Sequence, residues 1–97
     1  MSAGNMIAME EDAMPRLAPG VRLKFDQARE CWVVLAPERV VMPDETALEI
    51  LRRCDGGTRL GAIIDALAAE YEAPRETIAA DVRELMGELT RNGILRP

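Results

Sequence analysis

The chain lacks histidine altogether, and it has few aromatic residues and few cysteines. Among 97 residues there is no His, the aromatic share is 3%, and Cys occurs twice. Histidine is the commonest general base and a principal metal ligand, and neither a nucleophile elbow nor a phosphate-binding glycine loop is present. Cys31 and Cys54 stand alone without a CxxC spacing, which predicts buried thiols in a reducing cytoplasm. We therefore expect no catalytic site, no bound metal and no cofactor.

The chain also lacks a basic surplus and a long apolar run. Its formal net charge is −5, whereas proteins that bind nucleic acid need a basic footprint. The last predicted helix, over 76–91, carries four acidic residues against two arginines, so phosphates would repel it. No apolar stretch approaches the roughly 18 residues that span a bilayer, and no signal peptide is apparent. We expect neither nucleic acid nor membrane as a partner, and a cytoplasmic location.

Residues 21–42 predict a three-stranded antiparallel meander. In the first strand, 21–25, apolar and charged residues alternate, which is typical of a strand with one buried face. The second strand, 31–35, is a continuous apolar run. A turn at 36–38 that contains proline then leads into the third strand, 39–42.

Two helices are expected directly after the meander. Asp44 follows a proline and should cap the first helix, and the glycines at 56–57 should end it. Thr58 should cap the second helix, whose apolar positions recur at helical spacing as far as Tyr71. The first of these helices also carries a buried apolar stripe.

A third helix and the domain boundary complete the prediction. Pro74 should lie in the first turn of this helix, and 92–93 should close it, with Ile94 folding back on Leu89. The fold class is therefore α+β: a three-stranded meander followed by three helices, winged-helix-like.

Residues 1–14 have no periodic apolar face and are expected to be a disordered tail, which leaves 15–97 as the domain. The alternative is that apolar residues of this tail, Met6, Ile7 and Met9, fold back as an intramolecular plug into a binding cleft beside the last strand of the meander.

The third strand of the meander has an unpaired edge, and this edge is the predicted peptide-binding site. An open edge is a liability unless something pairs with it, and strand addition is a general mode of peptide capture. The predicted partners of the peptide backbone are Arg39, Val40, Val41 and Met42. Pro43 cannot donate to a ladder, so pairing should stop at or before Met42.

The third helix has two flanks beside its buried apolar stripe, which includes Leu89, and either flank could face a peptide paired with this edge. One flank carries Ala79, Arg83, Met86 and Thr90, and the other carries Asp81, Leu85 and Glu88. The sequence leaves open which flank faces the cleft. Ala79, Arg83 and Met86 are predicted as peptide contacts, although a core position is favoured for Met86.

Several segments carry a resemblance to a known family. They are residues 22–26, 32–40, 44–47, 54–56, 67–71, 80–82 and 93–95. The Leu-Ala-Pro-Glu-Arg-Val stretch at 35–40 and the Asp-Glu-Thr-Ala helix start at 44–47 are specific in combination. Through these segments the chain closely resembles the pyrroloquinoline quinone (PQQ) biosynthesis protein D family, over residues 16–96.

This resemblance implies a peptide chaperone. Members of the family bind the ribosomal precursor peptide of PQQ and present it to a radical SAM enzyme, which cross-links a Glu and a Tyr of the peptide. In such domains the precursor adds a strand beside the third strand, in a cleft bounded by the third helix. The alternative function is a structural interaction module that docks another protein, or itself, through the open edge, including a homodimer by strand exchange.

Overall fold

The computed structural model describes residues 10–97, and the first nine residues lie outside it. The described elements are, in chain order, β1 (Arg16–Leu17), β2 (Arg22–Asp26), β3 (Cys31–Ala36), β4 (Arg39–Val41), α1 (Glu45–Arg53), α2 (Leu60–Tyr71), α3 (Arg75–Arg91) and β5 (Leu95–Arg96). Strands β2, β3 and β4 form one antiparallel sheet in that order, so the predicted α+β class is confirmed. The likeness to a winged helix stays a prediction. A second, two-stranded sheet of β1 and β5 was not predicted.

The three-stranded sheet turns one face towards the helices. Leu23 pairs with Val34, and Val34 pairs with Val41, and directly opposed residues project from the same face of a sheet. Val34 is 1% exposed, and Leu23 and Val41 pack against the same core cluster. This inner face therefore positions β4 directly beside the helical core.

The core lies between this inner face and the three helices. Its largest fully buried side chains are Ile50, Leu51, Leu60, Ile63, Ile64, Met86, Ile94, Leu95, Val34 and Pro15. Tyr71, expected on the buried stripe of α2, is instead 49% exposed. It is the last residue of the helix, and Glu72 follows in a left-handed conformation with φ 50°. The tyrosine borders a surface pocket that Ile50, Leu67 and Val82 also line, and about half of it stays exposed to solvent.

The first helix starts as predicted but ends earlier. The Asp44 carboxylate accepts a hydrogen bond from the Ala47 N–H at 2.8 Å, which confirms the predicted N-cap. The C-terminal prediction is wrong, because α1 ends at Arg53 with Cys54 as its C-cap residue. Gly56 does have a positive φ of 79°, but it lies beyond the helix, where its N–H donates to the Pro15 carbonyl at 3.0 Å.

Helix α2 is capped by a distant segment of the chain. The predicted cap Thr58 is wrong: the N-cap residue is Arg59, and it makes no side-chain capping bond. The Leu60 N–H donates to the Ala13 carbonyl, and the Gly61 N–H donates to the Glu11 carbonyl, both at 2.8 Å. Backbone carbonyls of residues 11–13 thus satisfy amides that every helix N-terminus leaves without an intrahelical partner.

Residues 11–15 are consequently part of the folded domain. The Glu11 carboxylate forms salt bridges with Arg75 at 2.8 Å and with Arg83 at 3.0 Å. The hydrogen bond from Arg75 lowers the pKa of Glu11 below its ordinary value. Ala13 packs against the core, and Pro15 is fully buried. The prediction of a disordered tail through residue 14 therefore differs from the structure over 11–14, and its first nine residues fall outside the described region.

The end of α3 matches its prediction closely. Gly93 has φ 77°, its N–H donates to the Thr90 carbonyl at 3.1 Å, and the Ile94 N–H donates to the Leu89 carbonyl at 2.9 Å. This pair of bonds is the Schellman motif, and it turns the chain back so that β5 pairs with β1. At the other end, Pro74 is the N-cap residue rather than part of the first turn.

Candidate functional site

A cleft of about 240 Å³ lies between β4 and α3. Its apolar lining consists of Val34, Val41, Ala47, Leu51, Leu85, Leu89 and Ile94. The other lining residues are Arg39, Met42, Pro43, Asp44, Glu88 and Asn92. All of the apolar set belongs to the buried core or packs against it, so the floor of the cleft is the margin of the core. An apolar floor with a polar rim suits an extended segment that inserts an aliphatic side chain.

The outer edge of β4 offers backbone groups along this cleft. A two-residue turn joins Ala36 to its partner Arg39, and such a turn is closed by a hydrogen-bonded pair. Hydrogen-bonded and non-hydrogen-bonded pairs alternate in an antiparallel ladder. Val41 is therefore bonded to β3, whereas the N–H and C=O of Val40 point away from β3.

Pro43 accounts for the length of β4. If the register in which Val34 faces Val41 continued, Pro43 would lie opposite Trp32 in a hydrogen-bonded pair. That pair requires an N–H from residue 43, and proline has none. The strand accordingly ends at Val41. The missing N–H would lie on the side of β3, so the outward groups of Val40 stay free for a peptide.

Arg39 closes one end of the cleft. Its guanidinium donates a hydrogen bond to the backbone carbonyl of Asn92, the C-cap residue of α3. A cation is favoured at this position because the carbonyl end of a helix carries partial negative charge. The bond ties the start of β4 to the end of α3 and places one positive charge at the cleft rim.

The structure places one flank of α3 in the cleft. Leu85, Glu88 and Leu89 line it, so the flank left open by the sequence is the one that carries Leu85 and Glu88. Glu88 is exposed, and it forms no salt bridge within residues 10–97. The rim therefore has a carboxylate on its helix side and the Arg39 guanidinium at its strand end.

The three helix residues predicted as peptide contacts lie elsewhere. Met86 is 1% exposed within the core, which is the core position favoured for it. Arg83 is bonded to the Glu11 carboxylate at 3.0 Å, and Ala79 packs against the core cluster. None of the three lines the cleft. Both flanks border the same buried stripe, so no sequence signal could choose between them, and Leu89 was missed because it was assigned to the stripe itself.

The remaining chemistry of the described region is sparse. Burial raises the pKa of the Cys54 thiol to about 12, so this group is neutral at physiological pH. Among residues 10–97 no three His, Cys, Asp or Glu side chains stand close enough together to hold a metal ion. Within the same residues no helix has both the length and the apolar character needed to cross a bilayer.

The fold and the cleft define a class of protein: a small α+β domain whose exposed strand edge, beside a helix wall, is open to strand addition. The sequence profile of coenzyme PQQ synthesis protein D (PqqD) matches residues 31–95. The chain belongs to this family.

Relatives and solved structures agree with that assignment. A PqqA binding protein of Rhodopseudomonas palustris is 50% identical over 93 residues, which covers 96% of this chain and 91% of the relative. One of Bradyrhizobium diazoefficiens is 44% identical over 95 residues, or 98% of this chain and 92% of the relative.

The solution structure of the PqqD portion of Methylobacterium extorquens PqqCD aligns with a TM-score of 0.76 at 34% identity, over 94% of this chain and 97% of the other. It is described as a functional, stand-alone recognition element for ribosomally synthesised and post-translationally modified peptides. Crystalline PqqD from Xanthomonas campestris aligns with a TM-score of 0.57 at 45% identity, over 92% of this chain and 99% of the other.

Proposed function

We propose that this protein binds the ribosomal precursor peptide of PQQ and presents it to the radical SAM enzyme of the pathway, acting in the cytoplasm as a chaperone without catalysis or cofactor of its own. The relatives named as binding PqqA, and the neighbour described as a peptide recognition element, support peptide binding. The observation that carries the proposal is the open edge of β4 above an apolar cleft walled by Leu85 and Leu89.

The peptide is held in two ways that contribute differently. Backbone bonds to the outward groups of Val40 give affinity with little discrimination between sequences, because every peptide carries the same groups. Discrimination comes from the cleft, since alternate side chains of an added strand point towards α3. Full burial of one Leu, Ile or Phe side chain contributes about 1.5–3 kcal/mol. The cleft therefore selects a segment with an aliphatic or aromatic residue at the right register.

The edge is tested by Val40→Pro. This change removes an outward N–H without removing a bond to β3, so the domain should still fold, because proline is tolerated at such edge positions. Affinity for a synthetic precursor peptide, measured by calorimetry, should fall at least ~10-fold, or about 1.4 kcal/mol. Val40→Thr keeps the N–H and the β-branched shape and serves as the matched control. A Val40→Pro variant with native amide spectra and native affinity would contradict strand addition at β4.

The wall of the cleft is tested on both flanks of α3. Leu85→Ala should weaken precursor binding, because it removes apolar surface from the cleft. Arg83→Gln, on the flank that faces Glu11, should leave the affinity unchanged. If Arg83→Gln weakens binding and Leu85→Ala does not, the peptide lies on the other flank, which carries Ala79, Arg83 and Met86.

The same edge could also accept a second copy of the chain by strand exchange. The exposure of Val40 and Met42, at 55% and 59%, is the observation that favours this alternative. Sedimentation at several concentrations separates the two functions, because a dimer that uses β4 should dissociate when the precursor peptide is added.

A further inference from the structure

The three-stranded sheet has a second face, which points away from the helices. We call it the outer face and define it by Arg22, Lys24, Val33, Leu35 and Val40. Cross-strand pairs join Lys24 to Val33, Arg22 to Leu35 and Leu35 to Val40. Directly opposed residues share a face, as do residues two apart along a strand.

The outer face is apolar at its centre without being part of the core. Val33 is 3% exposed, yet neither it nor Leu35 nor Val40 belongs to the core cluster of the described residues or packs against it. These three side chains line a depression of about 440 Å³, whose border includes Lys24, Phe25 and Arg29. Val33 itself is buried, whereas Leu35 is half-buried and Val40 is 55% exposed. The apolar surface that Leu35 and Val40 leave open to solvent is edged by polar groups, which is typical of an interaction site.

The charge of the outer face is opposite to that of the chain. The chain carries a net charge of −5, whereas Arg22 and Lys24 are both exposed, and neither forms a salt bridge within the described residues 10–97. Arg29, at the border, pairs with Asp26 at 2.7 Å. A partner that fits this face has an aliphatic or aromatic projection surrounded by acidic side chains.

The outer face is continuous with the proposed peptide site. A strand added to β4 directs alternate side chains into the cleft and the others onto the outer face, next to Val40. Peptide binding would therefore widen the outer face from three strands to four. The face is completed only when the peptide is in place, and this gives a partner a means of recognising the loaded protein.

We propose that the outer face is the docking surface for the modifying enzyme, and that the bound precursor completes it. This proposal rests on the proposed function, since it assumes that the precursor lies beside β4. The enzyme contacts the aliphatic centre through an acid-rimmed projection and contacts the precursor residues that project beside Val40. Coupling between two binding events is reciprocal, so the enzyme and the precursor each strengthen the binding of the other by the same factor.

The test uses the purified modifying enzyme and a synthetic precursor peptide as probes. The variant is Arg22→Glu combined with Lys24→Glu, on β2, two strands away from the peptide edge. The control is Arg59→Glu combined with Arg96→Glu, which makes the same change of charge at two exposed residues outside the outer face and the cleft. Interferometry measures the binding of each protein to immobilised enzyme with and without the peptide, and calorimetry measures the affinity for the peptide alone.

The outer-face variant should bind the enzyme at least ~10-fold more weakly, because like charges would now meet across the interface. Its affinity for the peptide and its unfolding temperature should match those of the control variant. Unmodified protein should bind the enzyme more tightly when the peptide is present. Enzyme binding that is equal in the two variants would overturn the proposal, as would docking that is indifferent to the peptide. If the variant loses self-association and not enzyme binding, a second copy occupies the face. Failure of the unmodified protein to bind the peptide would instead refute the proposed function.

Discussion

Removal of residues 10–14 should destabilise the domain without changing its affinity for the precursor. The segment caps α2 through the carbonyls of Glu11 and Ala13, and the Glu11 carboxylate bonds Arg75 and Arg83 of α3. No residue of the segment lines the cleft between β4 and α3. A chain that starts at Pro15 therefore loses a structural contact and keeps the proposed binding surface.

The magnitude follows from the helix cap. Loss of an N-terminal cap costs about 0.5–2 kcal/mol, and the partial burial of Ala13 adds to this. We take about 1.5 kcal/mol for the total, which lowers the midpoint of thermal unfolding by roughly 6–12 °C in a domain of this size. The salt bridges of Glu11 are exposed to solvent, so the backbone cap should dominate.

Calorimetric unfolding of two chains measures this effect, one starting at Glu10 and the other at Pro15. Gly61→Ala is an independent probe, because an added Cβ would lie 2.9 Å from Glu11 Oε1 and 3.4 Å from the Glu11 carbonyl oxygen. In the longer chain this crowding opposes the helix propensity of Ala, which favours it over Gly by about 0.8–1.0 kcal/mol. In the shorter chain the crowding is absent, so Gly61→Ala should stabilise it more. Equal unfolding midpoints for the two chains, together with equal effects of Gly61→Ala, would refute the role assigned to residues 10–14.

Two further predictions concern local chemistry. Gly93→Ala should cost about 1–2 kcal/mol of unfolding free energy, because the residue has a φ of 77° although no heavy atom lies within 4 Å of the added Cβ. Gly87→Ala is the control and should not share this loss. Gly87 is helical, and the nearest atom to its added Cβ belongs to the flexible Arg91 side chain, at 3.4 Å. Chemical denaturation measures the unfolding free energy of both variants, and equal losses in the two would contradict the assigned Schellman motif. Iodoacetamide should alkylate Cys31, which is half-buried, well before Cys54, whose burial raises its pKa to about 12. Mass spectrometry with and without denaturant checks the order, and equal labelling of the folded protein would contradict the burial of Cys54.

Local patterns explain why much of the fold could be predicted. The alternation in β2, the apolar run of β3 and the cap at Asp44 each depend on residues a few positions apart. The same holds for Gly93 and Ile94, whose bonds to the last turn of α3 are confirmed. Such signals act over the distance of one turn or one strand pair, so the neighbouring sequence is sufficient to read them.

The cap of α2 could not be predicted in this way. Thr58 is a good cap by residue type, but its hydroxyl lies 3.3 Å from the Asp55 carboxylate and bonds to it. The carbonyls that accept the α2 amides come from residues 11–13, far earlier in the chain. A propensity rule weighs only adjacent residues, and here a tertiary contact replaced the local one.

The sequence by itself determined the class of fold, the order of the three meander strands and the three helices, and the open edge on the last strand of the meander, because hydrophobic period and turn chemistry are local properties. Only the tertiary structure decided three further features: the inclusion of residues 11–14 in the folded domain, the flank of α3 that carries Leu85 and Glu88 in the cleft, and the apolar outer face around Val33. Each depends on elements that pack together although they are distant in sequence, as Glu11 and Arg75 are across 64 positions. Helical or strand periodicity specifies only which residues can share a face. Which of those faces is buried, and which charges pair, depends on how the elements pack against one another.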